Sequence, residues 1–145
     1  MTREFEAPRS VVYRAWSEPE LLKLWLGPAG WSLPECDIDL RAGGSYRAKG
    51  RAPDGTEMSW GGDYKEVIPE ERIVQTESFD EPWNAGTNIV TTEFAEQDGN
   101  TVVTTTIKYE SHAIRQAVMK SGMDKGVAES YERLDKVLAD LTAAA

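Results

Sequence analysis

One cysteine and one histidine stand among the 145 residues. The lone Cys36 excludes an internal disulfide, and the lone His112 leaves a Cys/His dyad or a histidine-based metal site without its usual company. Cys36 lies in the alternating stretch Glu35-Cys36-Asp37-Ile38-Asp39-Leu40, where it reads as a small buried apolar residue suited to a reducing cytoplasm. His112 reads as an exposed residue in the first turn of a helix. Gly-x-Ser-x-Gly, P-loop and dinucleotide fingerprints are absent too, so neither a catalytic set nor a cofactor is expected.

Basic residues are also scarce. Sixteen Lys and Arg face 25 Asp and Glu, for a net charge of -9, and such a surface repels polyphosphate, which sets nucleic acid aside as a partner. No charged segment followed by an apolar core opens the chain, and no apolar run approaches the length of a membrane span. The expectation is a soluble cytoplasmic protein with no membrane partner. Hydrophobic residues at 40% and charged ones at 28% fit a single globular domain over residues 1–145.

The pattern along the chain changes twice. Thr2 to Phe5 reads as a short strand, and Ala7-Pro8 opens a helix carrying Val11, Val12, Ala15 and Trp16 on one stripe. Ser17 and Glu20 have the spacing of a capping box, with Trp16 and Leu21 as the staple of a second short helix that stops at Gly27-Pro28. Period-two segments then run over 34–41, 44–51, 57–68, 71–79, 87–96 and 101–110, divided by turn pairs such as Asp54-Gly55 and Asp98-Gly99. Links this short favour antiparallel neighbours. From Ser111, a cap, the pattern is helical again. It is disturbed at Ser121-Gly122 and Gly126, then carries Val127, Tyr131, Leu134, Leu138 and Leu141 as one apolar stripe.

This is an α+β chain in the order β-α-α-β-β-β-β-β-β-α. A long sheet twists and curls, and the final helix is the element available to fill its concave side. The run Ala15-Trp16-Ser17-Glu18-Pro19-Glu20-Leu21-Leu22-Lys23-Leu24-Trp25-Leu26-Gly27-Pro28, together with Asp39-Leu40-Arg41-Ala42-Gly43-Gly44, Gly62-Asp63-Tyr64-Lys65-Glu66-Val67-Ile68-Pro69 and Gly122-Met123-Asp124-Lys125-Gly126, resembles the activator of heat-shock-protein-90 ATPase homologue-like family. That family belongs to the SRPBCC superfamily, and the resemblance implies its START- and birch-pollen-allergen-like helix-grip fold, in which a curved sheet holds one long helix and often leaves a hydrophobic cavity. Three features depart from it. Leu26 stands where relatives often carry a second Trp, Val127 stands where a Trp often follows the glycine, and the first strand begins late.

A cavity in such a fold would be lined by inward strand faces and the facing helix stripe. Tyr46 with Ala48, Trp60 with Tyr64, Val90 with Thr92 and Phe94, and Val103 with Thr105, Ile107 and Tyr109 are the sets expected to point inward. The strand from Ile73 stays open, with Ile73, Gln75, Glu77 and Phe79 on one face and Val74, Thr76 and Ser78 on the other. An inward Glu77 would be a polar handle with its pKa raised by desolvation, although glutamates as a class favour solvent. Met119 and Met123 flank the glycine break and suit a cavity mouth or simple core filling. Trp16, Trp25 and Trp31 are expected to close one end, and Trp83 to lie in a loop.

Three functions compete. The first is binding of a hydrophobic or amphipathic small molecule, without catalysis. The second, implied by the family, is a stress-response or chaperone-associated interaction module. The third, from cyclases and aromatases of the superfamily, is an enzyme acting through one polar cavity residue, such as Glu77, Tyr109 or Tyr64. A homodimer is compatible with the pattern, which specifies none.

Overall fold

The computed structural model describes residues 1–26, 30–80, 87–120 and 123–144, with side chains described for these except residues 79, 117–120, 123–125 and 144. The elements are β1 (Thr2–Phe5), α1 (Arg9–Ser17), α2 (Pro19–Trp25), β2 (Ser32–Ile38), β3 (Ser45–Arg51), β4 (Glu57–Ile68), β5 (Arg72–Phe79), β6 (Asn88–Gln97), β7 (Asn100–Lys108), α3 (His112–Lys120) and α4 (Met123–Ala144). One seven-stranded sheet runs in the order β1-β7-β6-β5-β4-β3-β2. Every neighbouring pair is antiparallel. The meander therefore runs β2 to β7, and β1 returns to the β7 edge. Asp98 and Gly99, at φ 53° and 82°, form the two-residue link between Gln97 and Asn100, the left-handed pair that suits the right-handed twist of a hairpin.

The apolar stripe of α4 lies on the core as its spacing dictates: Tyr131, Leu134 and Leu138 are buried, and Val127 and Leu141 pack against the same cluster. Phe5, Trp16, Trp25, Phe94 and Tyr131 make an aromatic cluster there, with Phe5 edge-on to Tyr131 at 5.3 Å and Trp16 4.8 Å from Trp25 between ring centres. Trp25 also donates its indole N–H to the carbonyl of Ala15 at 3.0 Å, which satisfies the one polar atom of a ring that is 2% exposed. Sheet, short helices and α4 thus share one core.

Four details of the sequence reading need correction or limits. The capping box does not form, because Pro19 starts α2 with Glu18 as N-cap, while Ser17 still belongs to α1 and points its hydroxyl at the Arg14 carbonyl. The final helical stretch is described as α3 and α4, and the expected disturbance at Ser121-Gly122 lies outside the described residues. Trp31 is not in the Trp16–Trp25 cluster but lies with Trp60 against Gly50, whose missing side chain leaves room for both rings. Trp83 lies outside the described residues.

Candidate functional site

Strand register decides the orientation that the sequence left open. Ile73 is 2% exposed and stands opposite the buried Thr92 on β6. Alternation then puts Gln75 and Glu77 on the same inner face, where their partners on β6 are Val90 and Asn88. On the other side, Gly62 of β4 lies between the pairs Gly61–Ser78 and Tyr64–Gln75, and it faces Tyr46 of β3. A row of residues thus crosses the inner face from Tyr46 over Gly62 to Glu77 and Asn88. Tyr109, which follows the last residue of β7, is close enough for the Glu77 charge to raise its phenol pKa, after burial as the main cause.

Glu77 is only half-buried by surface, yet protein surrounds it closely enough for burial alone to push its carboxyl up from 4.5 to about 7. The carboxyl is thus largely surrounded by protein and still partly accessible. Tyr46 donates its phenol to the carbonyl of Thr76 at 2.7 Å, and its pKa is raised by burial first and by Glu77 second, against a hydrogen bond from Gln75 that lowers it. Tyr64 packs 5.2 Å from Tyr46 and is raised mainly by burial. Asn88 is 2% exposed, and its Oδ1 has no hydrogen-bond partner. Buried polar atoms are nearly always paired, which sets the Asn88 Oδ1 apart from the other polar atoms around it.

The structure divides the expected site residues between the surroundings of Glu77 and the core. Gln75 and Glu77 share the inner face of β5, Tyr46 and Tyr109 lie close enough for the Glu77 charge to act on them, and Val90 and Ile107 are register partners on β6 and β7. Among the described residues, neither belongs to the contiguous core cluster, which includes Tyr64, Ile73 and Phe94. Phe94 packs edge-on against Tyr13 and Trp16, each at 5.5 Å. Thr92 is buried opposite Ile73, and Thr105 is close enough to the Tyr131 phenol to lower its pKa against the larger effect of burial. Trp60 and Val127 are half-buried against the core. Phe79 stands opposite Trp60 in the ladder, but its side chain, like those of Met119 and Met123, is outside the described set.

Asn88 was not among the sequence candidates. It lies in the expected strand 87–96 and shares parity with Val90, Thr92 and Phe94, but nothing in its own segment marks it as the partner of Glu77. Cys36 is half-buried against the core with its thiol pushed up mainly by burial, and His112 is exposed beside Gln116. Among the described residues, no group of three His, Cys, Asp or Glu side chains could hold a metal ion, and no helix is long and apolar enough to cross a membrane. Two open furrows elsewhere, about 310 Å³ between β1 and α4 and about 450 Å³ along β2 and β3, contain neither Glu77 nor Asn88.

A family model described as Activator of Hsp90 ATPase homolog 1-like protein matches residues 6–139. Among solved structures, a Rhodobacter sphaeroides protein is 29% identical with a TM-score of 0.90, over 97% of this chain and 91% of that one. A Nitrosomonas europaea protein is 27% identical at a TM-score of 0.85, over 99% and 94% of the two chains. A Chromobacterium violaceum protein is 28% identical at 0.79, over 95% and 94%. No curated protein matches the sequence.

Proposed function

The chain belongs to the family of Activator of Hsp90 ATPase homolog 1-like proteins, and from that membership and the surroundings of Glu77 we propose that it binds an amphipathic small molecule in a recess between sheet and C-terminal helices. The observation that carries this reading is Glu77 itself, inward, partly accessible and raised to about 7 by burial alone. A structural glutamate in a packed interior would be paired, because leaving it unpaired costs stability. Val90 and Ile107 offer the apolar wall next to it, which is the usual make-up of a ligand site with a few placed polar groups.

The test is native mass spectrometry of the purified protein for a co-purified molecule, followed by titration with the neutral apolar dye Nile red. Val90→Trp, which fills the space, is expected to abolish the dye's fluorescence gain while the far-UV circular dichroism stays unchanged. A folded Val90→Trp protein that takes up dye like the wild type would refute the reading. The same result separates it from chaperone association, which a filled recess would leave intact.

A second reading has one observation in its favour. A carboxyl half-ionised at neutral pH suits general acid or base work, so the recess also fits a cyclase-like proton transfer at Glu77. Loss of turnover in Glu77→Gln with retained ligand binding would support it.

A further inference from the structure

We infer that the polar end of the bound molecule is a protonated amine, held jointly by Glu77 and Asn88; this rests on the ligand-binding reading above. The two residues are register partners on one face, which sets their Cβ atoms about 5 Å apart. One small group can therefore meet both side chains. Each offers an acceptor that none of the described residues uses: the Glu77 carboxyl, whose pKa is moved by burial alone, and the orphan Asn88 Oδ1.

Two of the nearest side-chain donors are committed elsewhere. Tyr46 gives its proton to the Thr76 carbonyl, and the Gln75 side chain is engaged with the Tyr46 phenol. Gly62 of β4 contributes no side chain, and β6 brings only Asn88. Beyond the strand ends, the Glu77 charge raises the Tyr109 phenol without a hydrogen bond between them, and Arg115 of α3 acts on Tyr109 but does not figure among the causes that set Glu77.

The ligand must then supply hydrogens. An anionic head would place a third acceptor against two. A hydroxyl has a single hydrogen and satisfies one of them. A primary ammonium carries three donors and neutralises the carboxylate, and hydrogen bonds between ionised groups are about twice as strong as neutral ones. The net charge of -9 likewise favours approach of a cation.

The experiment uses three probes with one tail, octylamine, octanol and octanoate, each displacing Nile red from the full chain at pH 7. Octylamine is expected to bind about tenfold more tightly than octanol, with octanoate weakest. In Glu77→Gln the octylamine preference should vanish while octanol changes by less than about twofold. Octylamine binding should also release about half a proton at pH 7, because a carboxyl with its pKa at about 7 is half-protonated before the cation ionises it. Calorimetry in two buffers of different ionisation enthalpy reads that release, and Glu77→Gln should abolish it. Asn88→Leu provides an independent arm and should weaken octylamine. Equal binding of octylamine and octanol, or tightest binding of octanoate, overturns the amine assignment and leaves the recess standing. Failure of all three to displace the dye, or of the dye to bind, overturns the ligand-binding reading itself.

Discussion

Tyr46 hydrogen-bonds the carbonyl of Thr76 across an intervening strand, and the residue it passes over is Gly62. The contact joins β3 to β5, and it brings β5 so close to β4 that a Cβ built on Gly62 would collide with the Thr76 backbone and hydroxyl. Backbone cannot swing away as a side-chain tip can. Gly62→Ala should therefore cost about 2–3 kcal/mol in urea unfolding, the range for forcing atoms into a filled site. Tyr46→Phe should cost only about 1 kcal/mol for the lost hydrogen bond. A neutral Gly62→Ala would mean that the strands do not approach as described.

Burial of Glu77 couples stability to pH with an uncommon sign for a carboxylate. Its pKa rises from 4.5 to about 7 on folding, so the folded state holds the proton more tightly than the unfolded one. The cost of Glu77 is absent below about 4.5, grows as pH rises, and is complete above about 7. Stability from this group falls with rising pH. Glu77→Gln should match the wild type near the low end of that window and exceed it at the high end by on the order of 2 kcal/mol, taking about 1.4 kcal/mol per unit and reducing it for the carboxyl's contact with solvent. Denaturant curves at both ends check this, and parallel pH profiles for the two proteins would contradict it.

Thr101 provides a test at the far edge of the sheet. It is fully buried opposite Phe5, and its hydroxyl donates to the Ala7 carbonyl at 2.7 Å, fixing the chain where β1 gives way to α1. Thr101→Val keeps the shape and removes the donor. The stranded carbonyl should cost about 1–3 kcal/mol, whereas Thr101→Ser should retain the bond and lose roughly the value of one methyl group. A Val variant as stable as the wild type would show that the hydroxyl is not needed there.

How much of this could be read from sequence depended on whether the signal was local. Strands over 44–51, 57–68 and 71–79 stand as Ser45–Arg51, Glu57–Ile68 and Arg72–Phe79, because turn residues and alternation are properties of the segment itself. The stripe from Val127 to Leu141 likewise faces the core. Ser111 caps α3 through the Ile114 N–H as expected. The Ser17 box failed because two helices competed for one residue and Pro19 had already fixed the start of α2. The strand expected over 34–41 ends at Ile38, since Asp39 and Arg41 close a turn on each other, side chain to side chain at 2.9 Å. The direction of Glu77 was not local at all. Its own strand alternates ambiguously, and only pairing with β6, where Val90, Thr92 and Phe94 declare the inner face, settles it. Asn88 was hidden for the same reason.

Arg3 separates the value of an ion pair from that of packing. Its guanidinium makes two hydrogen bonds to Asp135, at 3.0 and 2.6 Å, and lies 4.6 Å from the Phe5 ring centre. Both charged side chains are more than a third exposed, or close to it, so water and salt screen the pair, and Asp135→Ala should cost no more than about 1 kcal/mol. Arg3→Ala also uncovers Phe5 and the edge of Tyr131, removing a cation–π contact worth about 0.5–1 kcal/mol and the cover of its alkyl stem. It should therefore be the more destabilising change, by roughly the value of that contact. Added salt should shrink the Asp135 effect and leave most of the excess at Arg3, because the excess comes from contact with the ring and from the hydrogen bond that Arg3 donates to the Tyr131 carbonyl at 3.3 Å, not from the carboxylate. If the two variants unfold at the same urea concentration in low and high salt, the ring contact contributes nothing and the ion pair accounts for all that Arg3 does.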